Sequence, residues 1–275
     1  MKRLLRNFAF TAGAILTIAL ILVALAAPLL SPFDPNAQDT FRRLEPPSKQ
    51  HPLGLDDLGR DVLSRILFGA RVSLRVGFSV VLLASTIGIT LGAIAGYFGG
   101  AADTVVMRIT DILLAFPGIL LAIALVAVLG PSLNNVILAL ATIGWVGYAR
   151  LVRGQVLKVR EMEFVTAAKA LGARSPRVIV RHVLPNVINP VIVMATLGLA
   201  GAILAEAALS FLGLGVQPPT PSWGAMLTAG RRYLGLANHL AIYPGIAIML
   251  AVMGLNFLGD GLIDALDPKY RKMLS

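Results

Sequence analysis

A carboxylate set deep in an apolar run is the first residue here whose chemistry needs explaining. Glu206 is the only acidic residue well inside such a run, and a charge at membrane depth is costly enough to make it a functional candidate. Facing a path through the bundle, it would meet an amine or a cation. Facing a neighbouring subunit, it would pair with a group there. Its run ends about eight residues later, which also allows a place near the outer interface. Asn256, towards the inner end of the last apolar run, is a second polar candidate, suited to an interhelical hydrogen bond.

The remaining chemistry is sparse. The histidines, His51, His182 and His239, fall in loops or at the ends of apolar runs, so none stands as a base beside a nucleophile inside a bundle. No lysine follows a glycine, which removes the G-x-x-x-x-G-K-[ST] phosphate loop, and neither H-E-x-x-H nor G-x-S-x-G occurs. With no cysteine there are no disulfides and no thiolate metal sites. We expect no catalytic residue, no metal site and no enzyme activity in this chain.

One polar segment breaks the pattern: Glu161–Asn186, EMEFVTAAKALGARSPRVIVRHVLPN. It carries Lys169, Arg174, Arg177 and Arg181, and follows Arg150, Arg153, Lys158 and Arg160; only Glu161 and Glu163 oppose them. Glu163–Leu171 suits a helix with Phe164, Ala168 and Leu171 as an apolar stripe. Gly172 fits the left-handed position that closes a helix. Ser175 and Pro176 restart one as N-cap and first helical residue. Val178, Ile179 and Val183 continue an apolar face until Leu184-Pro185 ends the segment at the membrane. The small Ala167 and Ala168 let another protein's surface approach closely. A hairpin folded back on its own bundle would have the same grammar, but so basic a hairpin between apolar runs points to docking of a partner that this chain lacks.

The elements that must hold this hairpin are membrane helices. Of 275 residues, 57% are hydrophobic and 14% charged, against about 25% charged in soluble domains. The formal charge of +10 reflects cytoplasmic loops; no basic stripe is interleaved with aromatics, which argues against nucleic-acid binding. Phe8–Leu30, preceded by Lys2, Arg3 and Arg6, is long enough to cross and too long for a signal-peptide core. Ser31 to about Arg75 is proline-rich, external and largely irregular. Its end, Asp61–Phe68, is either an amphipathic helix at the interface or an extension of the next helix.

Val76–Ala102 is the second span, with Gly88, Gly92 and Gly96 lining one face for close packing or, alternatively, a substrate groove. Ile112–Ala149 splits at Gly130-Pro131-Ser132 into two spans, the first kinked at Pro117. Val187–Leu214 is the fifth and Leu240–Gly259 the sixth; Pro-rich Gln217–Gly224 between them is an outer loop, with Trp223 marking the interface. Asp260–Ser275 is a cytoplasmic tail. The expected fold is an all-α polytopic membrane protein of six transmembrane helices with both termini cytoplasmic. Residues 1–75 form an N-terminal helix plus external segment, and 76–275 a core with the basic loop at about 150–186. The external segment carries seven basic residues (Arg42, Arg43, Lys49, Arg60, Arg65, Arg71 and Arg75), against the positive-inside rule.

T-A-A-x-x-x-G from Thr166 to Gly172, then nine residues to His182-x-Leu184-Pro185, resembles the EAA loop of binding-protein-dependent ABC importer permeases. Thr166 and His182 depart from that pattern, which commonly has glutamate and isoleucine there. HPLGLDDLGRDVLSRILFGARVSL, MRITDILLAFPGILLAI, ALSFLGLGVQPPTPSWGAML and DGLIDALDPKYR resemble the second, C-type permease of the dipeptide/oligopeptide/nickel branch. The resemblance implies the type I importer permease fold, and it implies that Glu163, Thr166, Ala167, Ala168, Gly172, Ser175, Pro176, His182, Leu184 and Pro185 form the ATPase-coupling loop. It implies further a second homologous permease, two ATP-binding subunits that hold the ATP and Mg, an extracytoplasmic solute-binding protein, and a bacterial or archaeal cytoplasmic (inner) membrane. Peptide is the expected cargo, with nickel or another small solute as alternative. A stand-alone ion-coupled carrier is disfavoured, because such carriers usually bury several ionisable groups.

Overall fold

The computed structural model describes residues 8–266, so the expectations for Lys2, Arg3 and Arg6 and for the tail's Lys269, Arg271 and Lys272 lie outside it. The first helix, α1, spans Phe8–Leu30, the bounds expected from its apolar run. Its 23 residues are about 34 Å long, enough for the hydrocarbon core.

The second helix, α2, spans Val62–Phe98. Asp61 caps it, its carboxylate accepting from the Ser64 amide at 2.7 Å, and nothing breaks it before Gly99. The two readings left open for Asp61–Phe68 are thereby decided: the stretch is the outer part of α2, not a separate interfacial helix. Its inward side chains, Val62, Ser64, Arg65 and Gly69, meet protein rather than lipid. The preceding segment is irregular, as expected, apart from a single 3₁₀ turn at Thr40–Arg42 and one antiparallel bridge between Leu55 and Asp61.

After Gly99, α3 (Gly100–Leu114) and α4 (Gly118–Leu129) meet at 88° across a short break. Pro117 was expected to kink a span; it stands instead as the N-cap of α4. With 12 residues, α4 is about 18 Å long, too short to cross alone. Five described helices are long and apolar enough to span, and counting the bent pair as one crossing gives six. Gly130 then turns the chain, and Ser132 caps α5, Leu133–Val159.

The Gly88–Gly92–Gly96 face of α2 packs on α5. A Cβ added at Gly92 would stand 2.5 Å from the Ala149 carbonyl oxygen, and one at Gly96 would stand 2.9 Å from that of Arg153. Close packing, not an open groove, is what these glycines serve.

Beyond α5 come α6 (Glu163–Ala170), α7 (Ser175–Val178), a π turn at Ile179–Val183, and α8 (Leu184–Phe211). The helix runs through Leu184-Pro185, which had been expected to end the segment. The wider turn explains this: the Leu184 amide bonds back to Ile179, five residues rather than four. That register opens the helix just where the proline ring would otherwise clash with the preceding turn.

A second correction concerns Trp223. It begins α9 (Trp223–Arg231), is 2% exposed, and donates from Nε1 to the Ile66 carbonyl of α2 at 3.0 Å. It is a core anchor, not an interface marker. The last helix, α10 (His239–Leu266), outruns the expected span at both ends and packs along α1 and α8.

Candidate functional site

The polar hairpin is built as its sequence suggests at the turn. Gly172 has φ +82°, the Gly172 amide donates to Lys169 O at 2.9 Å and the Ala173 amide to Ala168 O at 3.1 Å. These two bonds make a Schellman closure of α6. A Cβ at Gly172 would meet nothing within 4 Å, so only the backbone conformation demands glycine there. At the restart the assignment shifts by one residue: Arg174 is the N-cap of α7, without a side-chain capping bond, and Ser175 and Pro176 are its first helical residues.

The hairpin has two faces. Val165, Ala168, Val178 and Val183 are buried against the bases of α5 and α8, where Val156, Val159 and Val187 wait for them. Facing outward are Glu163, Phe164, Thr166, Ala167 and Leu171, the last 89% exposed. This divides the expected stripe: Ala168 turns inward, while Phe164 and Leu171 stay outside. Ala167 remains available to a partner; Ala168 does not. Pro185 is exposed; His182, Leu184 and Ser175 are half-buried, and Pro176 is exposed. The basic residues Lys169, Arg174, Arg177 and Arg181 are all exposed, so the outer surface is positive with a large apolar knob.

The hairpin is braced at its root. Arg160 donates from Nη1 to the Gly96 carbonyl at 2.8 Å and pairs with Glu161 at 2.8 Å. Lys169 lies 5.1 Å over the Tyr97 ring. Arg160 joins the end of α5, and Lys169 joins α6, to the end of α2.

Away from the hairpin an open groove of about 490 Å³ runs between α2, α4, α5 and α8. Val80, Ala84, Ile119, Ile143 and Met194 line it, and Tyr148 supplies the only polar side chain of the lining. Neither path candidate reaches it. Glu206 is fully buried, with Oε1 accepting from Ser210 Oγ at 2.6 Å. Asn256 is half-buried on α10 and makes no hydrogen bond with its side chain among the described residues.

Sequence reasoning missed a polar cluster in the external segment. Asp61 holds buried His51 at 2.9 Å, Asp56 takes Arg60 Nε at 2.7 Å, and Arg65 reaches the Pro35 carbonyl at 2.9 Å. The signal was present as His51, Asp56, Arg60, Asp61 and Arg65 in one short stretch, but a pairing across thirty residues has no local period.

Crossing-length helices, a bent pair and a two-faced hairpin define a polytopic helical membrane protein. Residues 88–272 match the family described as binding-protein-dependent transport system inner membrane component, and residues 1–47 match the N-terminal TM domain of oligopeptide transport permease C. The chain belongs to this family of ABC importer permeases. It is 50% identical over 270 residues to the dipeptide transport system permease protein DppC of Alkalihalophilus pseudofirmus, covering 98% of this chain and 89% of that one. It is 45% identical over 271 residues to the glutathione transport system permease protein GsiD of Pectobacterium atrosepticum, covering 98% and 90%. A chain from inward-facing conformations of the MetNI methionine ABC transporter superposes with a TM-score of 0.55 at 19% identity, over 74% of this chain and 96% of that one. That likeness concerns the fold.

Proposed function

We propose that this chain is one of two permease subunits of an ATP-driven peptide importer. It takes di- or oligopeptides from an extracytoplasmic binding protein, and its hairpin couples it to ATPase subunits that bind ATP and Mg. The observation that carries the reading is the split of the hairpin: one face is sealed on the bundle, and the other presents Phe164, Ala167 and Leu171 among arginines and lysines. A hairpin serving only its own fold would have no use for a leucine that is almost wholly exposed beside the closing glycine. The names of the relatives support peptide cargo.

The apolar groove forms this subunit's half of the path, and the second permease supplies the rest. Motor closure pushes the hairpin, and the bundle tilts as a rigid body between two packings. Gly172→Val tests the reading in proteoliposomes holding the full complex. Forcing a β-branched residue to φ +82° costs about 1–2 kcal/mol, enough to shift the turn without unfolding the bundle. Import should fall while ATP hydrolysis continues. A variant that assembles and imports at the wild-type ratio of ATP to peptide would remove the hairpin's coupling role. Uptake and binding-protein affinity across dipeptides, glutathione and nickel identify the cargo.

A further inference from the structure

The first arm of the bent pair is weakly held. Of its 15 residues, α3 buries only Val106 and Thr110. Met107 and Leu113 pack half-buried against the same core, and the remaining ties are charge. Arg153 of α5 makes two parallel bonds to Asp103, Nε to Oδ1 at 3.0 Å and Nη2 to Oδ2 at 2.6 Å. One turn earlier on α5, Arg150 pairs with Asp111 and donates from Nε to the buried Thr110 hydroxyl at 3.3 Å. The two carboxylates stand eight residues apart on α3, about 12 Å along its axis. A rod held at two points so separated is fixed in angle as well as position.

Both pairs are partly exposed, with side chains 22–53% accessible. Such pairs add little to stability, but a guanidinium bonded through two nitrogens fixes the orientation of its carboxylate. They sit between the two regions whose motions must agree. On one side, α5 leads directly into the hairpin, whose root is fastened to α2 through Arg160 and Lys169. On the other, α3 leads through the 88° bend to α4, whose Gly118 and Ile119 line the groove.

We propose that Asp103–Arg153 and Asp111–Arg150 are a two-point clamp that carries displacement of the docking hairpin through α3 to α4, so that the groove wall moves with the motor. These four are positioning residues and touch no cargo. The proposal rests on the ATPase-coupled reading above and names the route by which that coupling reaches the path.

The test uses the assembled complex in proteoliposomes, with import of a radiolabelled dipeptide and ATP hydrolysis measured together. Asp103→Asn and Arg153→Gln should each assemble and retain ATP hydrolysis. Each should raise the ATP spent per dipeptide about fivefold, within the span reached by residues that modulate coupling. The exchange of charges, Asp103→Arg with Arg153→Asp, should bring the ratio back towards wild type, which a role in stability alone would not require. Arg150→Gln should uncouple in the same direction. Single variants with the wild-type ratio would overturn the clamp. So would an exchange no better than the single variants, or parallel loss of both activities in an intact complex. Gly172→Val measured alongside separates the failures: if it uncouples and the clamp variants do not, the hairpin reading stands and only the clamp falls.

Discussion

Single side chains in this protein divide into those that build the outer end and those that remain available. Asp56 accepts from the Leu58 and Arg60 amides and from Arg60 Nε, and stands 3.5 Å from Arg65 Nε. Removing it leaves the buried Arg65 guanidinium without its carboxylate and Arg60 with only Asp57, at 3.7 Å. Asp56→Ala should therefore cost about 3–5 kcal/mol, read as the unfolding midpoint of the purified protein in detergent. Arg42–Glu45 is the contrast. The guanidinium holds the Glu45 carboxyl below its usual range through a 2.7 Å contact, yet the pair is open to water, and Glu45→Gln should leave the midpoint unchanged. Trp223→Phe keeps an aromatic ring but loses the bond to Ile66 and part of the buried indole volume, so it should cost more than the about 0.5–1.5 kcal/mol of the bond itself. Glu206 is enclosed by its own chain, so Glu206→Gln should leave the ratio of uptake between free and amine-capped dipeptides as it is. A selective loss of the free-amine form would place the carboxylate in the path after all.

Between elements, α2 meets α5 with glycine directly against backbone. The Gly88–Gly92–Gly96 spacing announced this contact in the sequence, because a four-residue repeat stays on one helical face. What it touches did not appear there. Gly92→Leu would drive side-chain atoms into the Ala149 carbonyl, and should cost at least about 1–3 kcal/mol as an overpacked interface. The same substitution at Gly154, which has nothing within 4 Å of its Cβ position, should cost far less in the same unfolding assay. The π turn before Pro185 was not legible, since proline marks a helix boundary in most sequences and only the packing of Val178 and Val183 on one side keeps this helix running.

For the molecule as a whole, sidedness depends on the bent pair. If α3 and α4 together make one crossing, the external segment and the hairpin lie on opposite sides; if they do not, both lie on the same side. The chain has no cysteine, so one introduced thiol reports one place. Phe41 is fully exposed and Leu171 nearly so. In intact cells an impermeant maleimide should label Phe41→Cys but not Leu171→Cys, which should react only in inverted vesicles. Labelling of both from the same side would reduce the spans to five and reverse the expected place of the hairpin. The many basic residues of the external segment make this measurement more informative than charge counting. Arg60 and Arg65 there are committed to a folded cluster with Asp56.

The membrane class, the crossing helices other than the bent pair, and the hairpin with its closing glycine were determined by the sequence alone. Each depends on a local quantity: the length of an apolar run, the period of small residues, or the left-handed turn that glycine allows. The tertiary structure alone decided which face of the hairpin is free. It also showed that Trp223 and Glu206 lie inside, that the external segment closes on a buried ionic cluster, and that two ion pairs join α3 to α5. The contacts of Trp223 and Arg65 join residues 30 to 157 positions apart, and hydropathy and spacing carry no signal over such distances. Where a side chain ends up then depends on which helices meet, and close glycine packing and desolvated polar pairs settle that only when the chain is folded.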